Sequence, residues 1–141
     1  MGQHVKIDTK WTGKMSFESK VGDHIIKIDA APEVGGENTG PRPKPLLLVA
    51  LAGCTGMDVV SILNKMRVNF SGFEISVEGD MAEDHPKYYQ NMKVIYKIKG
   101  KNVPREKVEQ AVNLSKEKYC GVSALFAKAI PIIFQIVIEN E

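Results

Sequence analysis

The pattern of apolar and polar positions changes character several times along this chain, and it is most regular between Pro45 and Met66 (PLLLVALAGCTGMDVVSILNKM). Leu46 to Ala52 is apolar on every side, as only a buried segment is. Beyond it, Val59, Val60, Ile62, Leu63 and Met66 share one side, while Asp58, Ser61 and Lys65 share another. At 3.6 residues per turn, positions 54, 58, 61 and 65 fall on one stripe. The pattern predicts a long, largely buried helix with Cys54 at its polar edge. No uninterrupted apolar run reaches the roughly 18 residues of a membrane span.

Before this helix the alternation is that of strands. His4–Trp11 and Lys14–Lys20 read as a hairpin about Thr12-Gly13, and His24–Asp29 as a third strand. Ala30–Lys44 is rich in proline and glycine; a connection of that length points to a functional loop. After the helix, Phe73–Met81 and Tyr88–Lys99 alternate with period two and are expected to pair antiparallel. A helix follows from Pro104 to about Lys118, with Val108, Ala111 and Val112 inward. Cys120-Gly121 interrupts it, Val122–Ala129 reads as a second short helix, and Pro131 stops that. Ile132–Ile138 is apolar enough for the centre of a sheet. The order predicts an α+β fold, a single domain over residues 1–141.

Composition adds bounds. The chain has 141 residues, 43% hydrophobic and 26% charged, which suits one soluble globular core. A net charge of +2 is too small to imply nucleic acid or an anionic membrane. The N-terminus, MGQHVKIDTKW, has no apolar signal region. With two cysteines, these features point to a reducing cytoplasm, where a structural disulfide is not expected.

The candidate chemistry lies in those cysteines. Small neighbours surround Cys54 (Gly53, Thr55, Gly56), and Cys120 falls between two helices, where a helix N-terminus favours a thiolate. Asp58, one turn after Cys54, works against ionisation, so a reactive Cys54 needs a cation from elsewhere. On the residues alone two readings stand: a redox pair, or two buried inert thiols. His4, His24 and His85 show no ligand spacing, so no metal or cofactor is expected. Gly35-Gly36 and Gly40 lack the lysine and hydroxyl of a phosphate loop. Lys93, Lys97 and Lys99 alternate along a strand flanked by Lys87 and Lys101; with Tyr88, Tyr89 and Tyr96 they suit either single-stranded nucleic acid or a solvated sheet face. The solvated face is the reading taken here.

The segments LLLVALAGCTGMDVVSIL (Leu46–Leu63) and LSKEKYCGVSA (Leu114–Ala124) resemble the OsmC/Ohr family of thiol-dependent hydroperoxide reductases, and are most similar to a subgroup with a GC(S/T)xxDVVSIL helix and a KYC motif. The resemblance implies an OsmC-like fold with antiparallel sheets around a long central helix, in an intertwined homodimer. It implies Cys54 as peroxidatic thiol and Cys120 as resolving thiol, organic hydroperoxides as substrates, an external dithiol as reductant, and an antioxidant role in stress. It further implies a glutamate about ten positions before the first cysteine, paired with an arginine from the N-terminal strands. Lys44 occupies the glutamate position, and Lys14 and Arg42 are the candidates for stabilising the thiolate. A different class of function is a member of the same fold that binds a small apolar or thiol-bearing ligand at the dimer interface, without turnover.

Overall fold

The structure, a computed structural model, describes residues 2–141. The chain forms two compact units, one reaching to Leu47 and the other Leu48–Glu141. The first holds β1 (Asp8–Gly13), β2 (Ser16–Val21) and β3 (His24–Ile28), an antiparallel sheet in the order β1-β2-β3. The hairpin turn sits at Lys14-Met15, not at the expected Thr12-Gly13. A register shift between Trp11 and Gly13 moves it, and the Trp11 indole N–H closes the turn on the Lys14 carbonyl at 2.9 Å.

The expected loop is compact rather than structureless. The Asp29 carboxylate accepts the backbone N–H groups of Ala30, Glu37 and Thr39 and the Thr39 hydroxyl. Two glycines let the chain fold back this tightly: a Cβ at Gly36 would lie 2.0 Å from the Ala30 carbonyl oxygen, and one at Gly40 2.5 Å from that of Lys27.

In the second unit, the long helix α1 (Pro45–Lys65, its first residues belonging to the first unit) is followed by β4 (Gly72–Met81) and β5 (Tyr89–Gly100). Helix α2 (Arg105–Leu114) runs into a π turn (Ser115–Tyr119), then α3 (Gly121–Ala127) and β6 (Ile132–Asn140). β4 and β5 pair antiparallel as expected, but β6 joins β5 in parallel, so β5 and not β6 is the central strand. A parallel return needs a crossover, and α2, the π turn and α3 supply it. β5 alternates as its sequence does, with Met92, Val94, Tyr96 and Ile98 buried. They pack with Leu51, Val59 and Leu63 of α1 and Val108, Ala111 and Val112 of α2.

The lysines of β5 share the opposite face. Lys97 pairs with Glu139 at 3.1 Å and stands across from Glu74, while Lys93 stands across from Glu78. This is a charge-balanced solvated face, and Tyr96 is not part of it: it is fully buried on the other side.

α1 is less buried than its sequence predicts. Leu51, Thr55, Val59 and Leu63 form its inward stripe, whereas Met57 is 77% and Val49 62% exposed. By length and by a mean hydropathy of 2.1 it is apolar enough to cross a membrane, and only 22% of that window is buried.

Candidate functional site

The inward stripe of α1 and the junction between the π turn and α3 bring the two cysteines together. Cys54 lies at the edge of the stripe and is half-buried, whereas Cys120 is buried; both are free thiols. Their sulfurs and a carboxylate oxygen of Asp58 all lie within 4.8 Å of one another. The i, i+4 spacing on α1 puts Asp58 beside Cys54. Cys120 arrives through the π turn, where its N–H bonds the Ser115 carbonyl at 2.8 Å, five residues back. Single π turns of this kind recur at functional sites.

Cys120 is the N-cap of α3. Its sulfur accepts the Ser123 N–H at 3.3 Å, and the Ser123 hydroxyl returns a bond to the Cys120 carbonyl at 3.2 Å. The preceding N–H of that turn, at Val122, donates to the Cys54 sulfur. Each sulfur therefore receives one backbone donor from the start of α3.

Burial nonetheless pushes the Cys54 thiol up, and the neighbouring Cys120 and Asp58 push it further; the Val122 N–H opposes them. Among the described residues of this unit, no cation acts on it. The two expected thiolate stabilisers are engaged within the first unit. Lys14 pairs with Glu37 at 3.7 Å, and the Arg42 guanidinium donates to Asn38 Oδ1 at 2.7 Å and to the Gly40 carbonyl at 3.2 Å.

A buried file of hydroxyls adjoins the thiols, and sequence reasoning missed it. Thr55 Oγ1 lies 2.6 Å from Tyr96 Oη and 2.8 Å from Ser115 Oγ, and Ser115 Oγ donates to Asp58 Oδ2 at 2.9 Å. Since Ser115 spends its one proton on Asp58, Thr55 must donate to Ser115, and Tyr96 to Thr55. All three protons point toward the carboxylate. The Tyr96 hydroxyl is pushed up to about 12, chiefly by burial, with Cys120 and Asp58 adding to it and the Thr55 bond opposing. The parity of β5 carried a signal for Tyr96: position 96 alternates with Lys93 and Lys97. Nothing in the sequence linked Thr55 or Ser115 to it.

Two grooves flank α1 in this unit. One, of about 740 Å³, is lined by Gly53, Gly56, Met57, Val60, Phe73 and Ile75 and is mostly apolar. The other, of about 340 Å³, lies between Asp58, Lys65, Leu114 and Tyr119.

The fold and the paired thiols define a class of small α+β proteins with one cysteine on the long helix and the other at the N-cap of a short one. The family described as OsmC-like protein matches residues 36–135, and the chain belongs to it. It is similar to protein YhfA of Escherichia coli, 32% identical over 125 residues that cover 87% of this chain and 90% of the other. A hypothetical protein of Aquifex aeolicus superposes with a TM-score of 0.87 at 31% identity, covering 99% of each chain. The organic hydroperoxide resistance protein OsmC of Legionella pneumophila shares the fold, with a TM-score of 0.70 at 14% identity over 96% of this chain and 97% of that one.

Proposed function

We propose that this protein is a cytoplasmic thiol-dependent peroxidase that reduces small organic hydroperoxides through Cys54 and Cys120. The observation that carries this reading is the approach of the only two thiols, remote in sequence, to within 4.8 Å. In the proposed cycle the Cys54 thiolate attacks the distal peroxide oxygen, the O–O bond breaks, and the leaving alkoxide takes a proton from solvent to become the alcohol. The resulting sulfenic acid is attacked by the Cys120 thiolate, and the hydroxide released as the disulfide forms takes up the proton that Cys120 gave up on ionising and leaves as water. An external dithiol reduces the disulfide and restores both thiols. Family membership and the name of the Legionella relative support the choice of substrate class.

The working form in this reading is a homodimer. Supporting it are the exposed apolar side of α1 at Val49 and Met57, and the exposed Trp11, Ile25 and Ile26 of the first sheet. Exposed apolar patches of this kind mark interaction sites. The reading also requires a cation at Cys54, since burial and Asp58 hold its thiol up; Arg42 and Lys14 stay the candidates once two copies assemble.

The test is hydroperoxide consumption with a dithiol reductant. Wild type is expected to turn over, Cys54→Ser to be inactive, and Cys120→Ser to stop after one equivalent. Equal rates in wild type and Cys54→Ser would end the reading. The upward push on Cys54 favours a second one, in which the fold binds a small apolar ligand without turnover. A small molecule that co-purifies in the native mass spectrum, with no peroxide consumed, would decide for it.

A further inference from the structure

The neighbourhood of the two thiols is crowded with acceptors and short of positive charge. Cys54 Sγ, Cys120 Sγ and an Asp58 oxygen converge within 4.8 Å. Each accepts one hydrogen bond: from the Val122 N–H at Cys54, the Ser123 N–H at Cys120 and the Ser115 hydroxyl at Asp58. Metal-binding side chains are held by just such outer hydrogen bonds, which fix their orientation and leave their free lone pairs facing inward.

We propose that the reduced protein binds one thiophilic divalent cation, zinc in the first place, through Cys54, Cys120 and Asp58. Thiolate sulfur and carboxylate oxygen are both zinc ligands, at about 2.3 and about 2.0–2.2 Å, so tetrahedral zinc sets such atoms about 3.6–3.8 Å apart. An adjustment of about an ångström brings a set spanning at most 4.8 Å to that spacing. Three protein ligands leave the fourth position to water, as in exchangeable rather than structural sites. The groove lined by Asp58, Lys65, Leu114 and Tyr119 gives an approach to the carboxylate from solvent. Histidine spacing gave no hint of this site because it contains no histidine, and its third ligand comes from the turn after Cys54.

Binding expels the two thiol protons and leaves zinc held by two thiolates and one carboxylate. A hydroperoxide then withdraws two electrons from the thiolates. The sulfurs join as a disulfide, the peroxide takes up two protons to give alcohol and water, and zinc is released unchanged. Only this release step rests on the peroxidase reading; binding to the reduced dithiol does not.

The experiment titrates zinc chloride into the reduced, full-length protein against a chromogenic chelator. One equivalent per chain is expected, with at least a tenfold weaker affinity in Cys54→Ser, Cys120→Ser and Asp58→Asn. Wild type oxidised to the disulfide, which carries no substitution, is expected to retain none. Cobalt(II) in place of zinc is expected to show thiolate-to-metal charge-transfer absorption that Cys54→Ser lacks. Failure of the reduced wild type to retain zinc, or retention unaffected by either cysteine substitution or by oxidation, overturns the proposal. Hydroperoxide assays on metal-free protein judge the peroxidase reading separately.

Discussion

Ser115 Oγ donates to Asp58 Oδ2 at 2.9 Å, and with the Thr55 hydroxyl on the same serine this bond ties the turn that delivers Cys120 to the helix that carries Cys54. It ends a buried file that starts at Tyr96 and passes through Thr55. The file is both a structural tie and the surroundings of the thiols, so its members can be tested for each role.

Thr55→Val keeps the volume and removes the central hydroxyl. Tyr96 and Ser115 then each lose a buried partner, and unsatisfied buried groups cost about 1–3 kcal/mol. The expected loss of unfolding free energy in urea is of that size, with an unchanged slope. A loss under a few tenths of a kcal/mol would mean that water replaces the hydroxyl.

Asp58 pushes the Cys54 thiol up. A neutral amide at that position removes the negative charge, so Cys54 ionises at lower pH. In chelator-treated Cys120→Ser protein, adding Asp58→Asn is expected to move the pH profile of alkylation downward. An unmoved or raised profile would show that the carboxylate does not act on this sulfur.

The Asp29 carboxylate is held well below the usual carboxylate range, first by the Thr39 hydroxyl and then by backbone N–H groups. A depressed folded-state value means the clamp stabilises fully above the unfolded value of about 3.9 and is lost as pH falls below it. Asp29→Asn is expected to flatten that acid-side loss in thermal melts, and to speed proteolysis between Gly35 and Gly40 at neutral pH. Identical acid limbs in the two proteins would remove Asp29 from the account.

Leu63 is fully buried in the core of the second unit. Leu63→Ala is expected to cost about 2–5 kcal/mol in denaturant unfolding, the range of cavity-forming leucine substitutions.

Met57 lies at the most exposed point of the apolar side of α1. Met57→Asp puts a charge into the proposed dimer face and leaves the core stripe untouched. Sedimentation is expected to show half the mass of the wild-type particle. An undiminished dimer would move the interface elsewhere.

Much of this architecture was legible in the sequence. The helical period from Pro45 and the strict alternation of β4 and β5 set those elements nearly to the residue, because each buries one continuous stripe. The i, i+4 stripe put Asp58 beside Cys54, and the two cysteine motifs marked the family. The hairpin turn was misread because the shift at Trp11–Gly13 adds a residue that period-two counting does not see. β6 was misassigned to the sheet centre because its apolar run matches a buried strand, and only the crossover reveals its parallel place at an edge. The Asp29 clamp and the Thr55–Ser115 contact join residues through side-chain hydrogen bonds, which leave no periodic trace.

The π turn from Ser115 to Tyr119 has a consequence for how this chemistry can be gained or lost. It holds one residue more than an α-helical turn, and that residue sets the phase at which the chain leaves the helix. Deleting any one residue between Ser115 and Cys120 would rotate the second sulfur by about 100° around the helix axis. Both thiols would survive such a deletion, yet they would face different directions. A change in the length of this turn alone would thus part the two sulfurs while leaving both cysteines in the chain.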